Sequence, residues 1–143
     1  MNLLETKLKS RLAEFIPFGL ILTDKDVNII YVNKAFEEIT GWRSDEVIGK
    51  NPNILSSGIM TNEYYQSLYT TINRGDVWFE KVVNKKKNGD FYHAMQKITR
   101  IDENKEVLGY LAIQEDITDQ VRKEEELKIM IDKYRKLLEK YKT

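Results

Sequence analysis

The stretch from residue 75 to residue 118 constrains the fold more than any other part of this sequence, because it alternates like three successive β-strands. The predicted strands cover residues 76–86, 90–101 and 107–118. Asn88-Gly89, between the first two strands, supplies the positive φ angles of a tight hairpin turn, whereas the polar residues 102–105 predict a longer loop. Each strand is therefore expected to pair antiparallel with the next.

Alternate residues of these strands fall on two opposite faces. One face mixes aromatic, small and polar residues, namely Trp78, Glu80, Val82, Asn84, Tyr92, Ala94, Gln96, Ile98, Tyr110, Ala112 and Gln114. The opposite face, called the outer face below, is largely apolar and carries Val77, Phe79, Val83, Phe91, His93, Met95, Leu111, Ile113 and Ile117. A sheet with apolar residues on both faces must have both of them covered.

Composition narrows the function. The 143 residues suffice for one domain with helical extensions, and a formal net charge of zero gives no electrostatic basis for binding nucleic acid or an anionic membrane. The lack of cysteine excludes disulfides, thiolate metal sites and cysteine nucleophiles, and the single His93 argues against a metal site or a histidine-based triad. Without a nucleophile–base pair or a phosphate loop at recognisable spacing, we expect no enzyme and no catalytic residues.

The N-terminal segment, residues 1–16, is predicted to form an amphipathic helix, because Leu4, Leu8, Leu12 and Phe15 recur at helical spacing. No apolar run reaches membrane-spanning length and no signal-peptide core is present, so the sequence predicts a cytoplasmic protein without membrane contact. A first residue inside a helical pattern and a last residue in mid-helix lead us to expect a fragment of a longer protein.

Between this helix and the three strands, the pattern predicts a first hairpin from residues 18–23 and 28–33. Short helices should follow at 34–40, closed by Gly41, and from Ser44 onward. Residues 50–58 read as a loop or broken helix, and a longer helix is expected over 63–73, capped by Thr61.

After Thr118 the sequence predicts a charged helix over residues 119–143. Its apolar residues are spaced three and four apart, as in a heptad seam: Leu127, Met130, Tyr134, Leu137 and Tyr141. Such a helix either packs back on its own domain or pairs with a second copy in a coiled coil, and we favour the coiled coil.

With its elements in this order, the chain resembles a PAS domain over residues 17–118. The motifs that carry the resemblance are Ile30-Tyr31-Val32-Asn33-Lys34-Ala35-Phe36, Thr40-Gly41-Trp42, Glu46-Val47-Ile48-Gly49-Lys50-Asn51-Pro52, Asn84-Lys85-Lys86-Lys87-Asn88-Gly89-Asp90 and Asp116-Ile117-Thr118. The resemblance implies an α+β fold, with a five-stranded antiparallel sheet of order 2-1-5-4-3 and short helices enclosing a ligand pocket on one face. It also implies a sensory or dimerisation module of histidine kinases, cyclic-di-nucleotide enzymes or chemoreceptors.

By this resemblance the face with Trp78 is the inner one. Ala94 and Ala112 leave space in its middle, and four polar side chains surround that space: Glu80, Asn84, Gln96 and Gln114. Buried polar groups without partners are costly, so these groups must bond to one another in a filled core, to water, or to a ligand. The sequence leaves these alternatives open.

The resemblance also bears on the cofactor. Haem-binding PAS domains usually hold iron through a histidine on the long helix, and residues 63–73 contain none, so haem is not expected. The LOV subfamily, which is similar across the sheet, binds flavin mononucleotide (FMN) and needs a cysteine after an asparagine, but Asn51 is followed by Pro52. Asn84 and Gln114 match that subfamily's flavin-bonding pair, whereas Ala94 replaces its second asparagine, which makes FMN less expected.

A third group, the flavin-dinucleotide (FAD) redox sensors of bacterial aerotaxis and nitrogen fixation, is resembled more closely. The resemblance lies in Gly75-Asp76-Val77-Trp78 and in residues 84–92, and in that group the tryptophan and the asparagine sit at the flavin. FAD is thus the cofactor that the resemblance implies, with plain core packing as the alternative role for Trp78. The candidate cofactor-binding residues are Asn51, Trp78, Glu80, Asn84, Gln96 and Gln114.

Together these patterns predict a sensory input domain that binds a small ligand or flavin. Its state would pass from Gln114 through Asp116-Ile117-Thr118 to the C-terminal helix and a downstream effector such as a histidine kinase. We expect a homodimer formed through the N-terminal helix, the outer face and the C-terminal helix. The alternative is a ligand-free PAS module for dimerisation or protein interaction.

Overall fold

In residues 2–142, which the computed structural model describes, five strands form one antiparallel sheet of order β2-β1-β5-β4-β3. The strands are β1 (Gly19–Asp24), β2 (Ile29–Val32), β3 (Trp78–Lys85), β4 (Phe91–Glu103) and β5 (Glu106–Asp116). The helices are α1 (Leu3–Phe15), α2 (Lys34–Thr40), α3 (Ser44–Val47), α4 (Asn62–Asn73) and α5 (Thr118–Lys140), with a 3₁₀ turn at Pro52–Leu55. The predicted α+β PAS fold and its strand order are confirmed. Met1 and Thr143, the outermost residues of the two predicted terminal helices, lie outside the described residues.

Asn33 shows how local sequence positions several elements at once. It is buried at the N-cap of α2, where its Oδ1 accepts hydrogen bonds from the N–H groups of Phe36 (3.0 Å) and Leu20 (2.9 Å). Its Nδ2 donates to the carbonyls of Phe18 (2.9 Å) and Ala13 (3.0 Å). One asparagine side chain therefore caps α2 and ties it to β1 and to the end of α1.

The connection between β4 and β5 differs from the predicted longer loop. The strands extend to Glu103 and Glu106, which pair with each other, so the turn contains only Asn104 and Lys105. Both have positive φ, 51° and 68°, as a type I′ hairpin turn requires. The charged composition of 102–105 hid this turn, because lysine is an unusual residue at a positive φ.

The apolar core lies between the inner face of the sheet and the helices. Its three clusters centre on Phe36, on Trp78 with α4, and on Tyr92, all of them buried. The inner-face prediction holds for most residues but is wrong for Glu80, whose side chain is exposed. Glu80 lies on β3, at the edge of the sheet, where the carboxylate avoids the cost of burial by reaching water.

The terminal helices present apolar residues to solvent. No residue of α1 is buried, and Leu4, Leu8, Leu12 and Phe15 are each more than half exposed. The helix is held at its end instead, where Glu14 accepts hydrogen bonds from the Tyr31 hydroxyl and from the N–H of Lys34. Phe79 and Phe91 on the outer face are also more than half exposed, so α1 does not cover that face in the single chain.

The C-terminal helix α5 likewise buries none of its residues, so it does not pack its seam against its own domain. Leu127, Met130, Tyr134 and Tyr141 are each more than half exposed, and Leu137 is 41% exposed. Within residues 2–142 no helix is long and apolar enough to cross a bilayer. Whether a second copy covers this seam stays a prediction.

Candidate functional site

A cavity of about 550 Å³ lies between the inner face of the sheet and the helices. Its volume falls in the range of about 300–1,000 Å³ that is typical of small-molecule sites. Strands β3, β4 and β5 contribute Val82, Asn84, Gln96, Ile98, Tyr110, Ala112 and Gln114, and α4 contributes Tyr64, Tyr65, Leu68, Tyr69, Ile72 and Asn73. The rest of the wall comes from β1, the turn after it, and residues 51–56.

Four polar side chains in and behind this wall form one hydrogen-bonded chain across three strands. Asn84 Nδ2 donates to the Tyr92 hydroxyl (3.4 Å), which donates to Gln114 Oε1 (2.9 Å), and Gln114 Nε2 donates to Gln96 Oε1 (3.0 Å). Asn84, Tyr92 and Gln114 are buried, so these bonds form where water competes little. The structure thus contains the mutual bonding that the sequence allowed, alongside an open cavity.

Tyr92 is the member that the sequence prediction missed. Its side chain is fully buried, and burial raises the pKa of its phenol well above the usual range, so the hydroxyl stays protonated and acts as a donor. The signal was present, because Tyr92 falls on the inner face by alternation. Its partner became visible only with the register, in which Tyr92 pairs directly with Asn84.

The six candidate residues divide into three groups. Asn84, Gln96 and Gln114 converge on the cavity as described. Asn51 is exposed at the cavity mouth, where its Oδ1 accepts a hydrogen bond from the N–H of Asn53 (2.9 Å). Trp78 and Glu80 do not line the cavity.

Trp78 lies behind the aromatic wall that α4 provides. It packs against Leu68 and Ile72, and its ring meets that of Tyr64 edge to face at 5.5 Å between centroids. Its buried indole N–H has no hydrogen-bond partner among residues 2–142. Burial also raises the pKa of Tyr64, which itself lines the cavity. Trp78 therefore supports the wall through Tyr64 rather than forming part of it.

The end of β5 is tied to β4 next to the polar chain. The N–H of Ile117 donates to the His93 carbonyl (2.9 Å), and the N–H of His93 donates to Thr118 Oγ1 (3.0 Å). Thr118 Oγ1 in turn donates to Asp116 Oδ1 (2.6 Å), which also accepts from the N–H of Thr118 (3.0 Å). His93 follows Tyr92, so one residue of β4 belongs to the polar chain behind the cavity wall while its neighbour holds the first residue of α5.

Comparison with known proteins identifies the fold. The family model described as the PAS domain matches residues 17–119, and the chain belongs to the PAS domain family. Among residues 2–142, no three histidine, aspartate or glutamate side chains are grouped so that they could hold a metal ion.

Two curated relatives are informative. The nitrogen fixation regulatory protein of Klebsiella oxytoca is 32% identical over 108 residues, which cover 75% of this chain and 22% of the relative. The aerotaxis receptor of Escherichia coli K12 is 26% identical over 98 residues, which cover 68% of this chain and 19% of the relative. This chain thus spans about a fifth of the length of either protein.

Solved structures share the fold. The LOV domain of the blue-light activated histidine kinase from Erythrobacter litoralis EL346 is 25% identical, with a TM-score of 0.65 over 72% of this chain and 98% of that one. An RNA-binding light-oxygen-voltage receptor matches 92% of this chain and 38% of its own with a TM-score of 0.78, but at 20% identity it supports the fold alone. The chain is thus a PAS domain related to sensor and signalling proteins, as the sequence motifs predicted.

Proposed function

We propose that this chain is a non-catalytic sensory input module whose cavity binds a small planar ligand, with a flavin as the leading candidate. The observation that carries the proposal is the position of Gln114. Its side chain lies in the cavity wall, bonded to Tyr92 and Gln96, and its strand reaches the first residue of α5 four positions later.

The cavity suits a planar ring with polar edges. Its walls are mainly aliphatic and aromatic side chains, which favour an apolar ring face. Within residues 2–142, Asn84 Oδ1 and Gln96 Nε2 take part in no hydrogen bond, so the site keeps a free acceptor atom and a free donor atom for a ligand. A bound flavin would supply a ring whose hydrogen-bonding edge changes when it is reduced or oxidised. Relatives in nitrogen fixation regulation and aerotaxis belong to the two kinds of sensor whose FAD motif this sequence resembles.

The proposed output route runs through β4 and β5. A ligand that changes the hydrogen bonds of Gln114 also changes the hydrogen bond between Gln114 and Tyr92. His93 is the next residue in the chain after Tyr92. His93 holds Ile117 and Thr118 through two backbone groups, so a displacement of β4 reaches the start of α5 directly. Such coupling requires two states with different contacts.

The visible absorption spectrum of freshly purified protein tests the ligand. We expect a yellow protein with flavin absorbance, and mass spectrometry of the supernatant after denaturation should identify FAD. A different bound molecule would contradict the flavin as the ligand but would still support a ligand-binding sensory module. A colourless protein that releases no small molecule would contradict ligand binding altogether.

A second candidate function, dimerisation without a ligand, is favoured by the exposed apolar surfaces. The leucines of α1, the phenylalanines of the outer face and the seam of α5 are all exposed in the single chain. Burying such surfaces in a second copy would provide the area that a stable dimer needs. Light scattering over a wide range of concentrations should show a dimer, and a concentration-independent monomer would contradict both the dimer and this candidate function. The cytoplasmic location, the effector domain and the lack of enzyme activity stay predictions.

A further inference from the structure

Charge is distributed unevenly between the cavity and the rest of the molecule. Lysine, arginine, aspartate and glutamate make up 32% of the chain. Within residues 2–142, however, not one of the residues that line the cavity is charged, and this includes its exposed mouth. Asn51, Asn53 and Asn73 occupy the mouth instead, together with Val27 and Tyr69. A ligand that carries a phosphate or carboxylate therefore meets no opposite charge along this wall.

The backbone at the mouth is also closed to anions. The 3₁₀ turn begins with Pro52, which has no N–H, and the N–H of Asn53 is already bonded to Asn51 Oδ1. The next N–H, that of Ile54, donates to the Asn51 carbonyl. The first N–H groups of the turn are thus occupied by the protein itself.

Two cations next to mouth residues, Arg100 and Lys50, are engaged elsewhere. Arg100 reaches the mouth by donating to the Asn73 carbonyl (2.9 Å), but its guanidinium also makes two hydrogen bonds to the Asp102 carboxylate. Lys50, adjacent in sequence to Asn51, has its ammonium 5.7 Å from the centroid of the Trp42 ring. Neither of these positive charges is directed to the cavity.

We infer that the cavity selects an uncharged planar heterocycle. This rests on the proposed function and specifies its ligand: for a flavin, the cavity holds the ring and leaves the phosphate or dinucleotide tail in solvent outside the mouth. An anionic group inside would lose its hydration without gaining a counter-ion, which is strongly unfavourable. The site therefore distinguishes poorly between riboflavin, FMN and FAD.

A binding series with the ligand-free protein tests this inference. Riboflavin, FMN and FAD should bind with dissociation constants within about threefold of one another, because a solvated phosphate gains only screened attraction. FMN or FAD binding more than about tenfold tighter than riboflavin would overturn the inference, since that difference requires a specific anion contact.

If the protein binds none of the three flavins, the flavin is ruled out as its ligand. The inference that the ligand is uncharged can then be tested in a second way. The molecule released on denaturation, or the preferred member of the pair adenosine and adenosine monophosphate, should then be uncharged. An anionic native ligand, or preference for the monophosphate, would overturn the inference. Failure to bind any of these probes, with no native ligand released, would overturn the inference and the proposed sensor together.

A gain of charge at the mouth provides a matched test. Asn53→Arg should increase the preference for FMN over riboflavin by about threefold to fivefold, as an exposed ion pair does, and high salt should remove the increase. Gln120→Arg adds the same charge on α5, far along the chain from the mouth, and should leave the ratio unchanged. A ratio that does not change in Asn53→Arg, or that rises equally in both variants, would overturn the placement of the tail at the mouth.

Discussion

The Tyr92 hydroxyl donates a hydrogen bond to Gln114 Oε1 at 2.9 Å, across the boundary between β4 and β5. The same hydroxyl accepts from Asn84 on β3, so one phenol links the three C-terminal strands beneath the cavity. Because the next residue, His93, holds Thr118, the bond lies one residue away from the attachment of α5.

Tyr92→Phe keeps the buried ring and removes the shared hydroxyl. Gln114 and Asn84 would each lose a partner in a buried site, and we expect the free energy of unfolding to fall by about 1–3 kcal/mol. Urea denaturation should show this loss with an unchanged slope. Tyr69→Phe removes a hydroxyl from an exposed side chain of α4 and should change stability by less than about 0.5 kcal/mol. Equal losses in the two variants would contradict the importance of the bond.

Thr118→Val removes the hydroxyl that joins His93 to Asp116, with little change in shape. We expect faster hydrogen exchange of the His93 amide and of the first turn of α5, because both lose their tie. Ligand affinity should stay the same, since Thr118 does not line the cavity. Thr118→Ser keeps the hydroxyl and serves as the control. Unchanged exchange in the valine variant would refute this attachment.

Gln114→Leu removes the two hydrogen bonds that the Gln114 side-chain amide makes to Tyr92 and Gln96, and it places an apolar side chain of similar size in the cavity wall. In a protein that carries flavin, the difference spectrum between the reduced and oxidised forms, or the output of the linked effector, should change. Gln120→Leu, at an exposed position of α5, should leave the spectrum as it is. A wild-type spectrum and a wild-type output in Gln114→Leu would count against this route of signalling.

Lys105→Gly should stabilise the protein, because Lys105 has φ +68° in the two-residue turn between β4 and β5. A left-handed residue costs about 1–2 kcal/mol for a non-glycine side chain. Glycine gives back part of that through its greater entropy when unfolded, so a gain of about 0.5–1 kcal/mol is expected. Thermal unfolding measures it. Lys97→Gly makes the same change at an exposed position within β4, where it should destabilise instead. Loss of stability in both variants would contradict the strained turn.

Stability should decline in alkali. Burial, together with the hydrogen bond to Glu14, raises the pKa of Tyr31 to about 12, and burial also raises the pKa values of Tyr64 and Tyr92. Tyrosines in the unfolded chain ionise near pH 10, so these groups stabilise the fold fully below that pH. Their contribution is lost as pH rises toward the higher pKa values. Urea unfolding at several pH values should show this decline, and Tyr31→Phe should make the loss of stability with rising pH shallower. The same pH dependence in Tyr31→Phe as in the wild type would contradict the role of Tyr31.

Much of the fold follows from local patterns. Gly41 after α2 and Thr61 before α4 are capping residues whose role depends on immediate neighbours, and the structure places both as predicted. Alternation also identified the inner face, but it does not tell how far a strand lies from the edge of a sheet. Glu80 was therefore predicted as buried although β3 is an edge strand.

The candidate site required information that no local pattern contains. Tyr92 gained its meaning from the register that places it opposite Asn84, and register depends on the turns at both ends of the strands. Trp78 was a candidate for either the ligand or the core, and it packs in the core against Tyr64 of α4, which lines the cavity. How a helix lies over a sheet depends on packing between distant segments, which spacing within either segment does not specify.

The central position of β5 has a consequence for synthesis of the chain. β5 is the last strand to leave the ribosome, and it alone joins β1 to β4. Before it emerges, β1 with β2 and β3 with β4 can form only two separate hairpins, and an isolated hairpin is marginally stable in water. The five-stranded sheet can therefore form only after β5 has been synthesised. A nascent chain that lacks β5 would expose the unpaired edges of β1 and β4 to proteases and to other nascent chains.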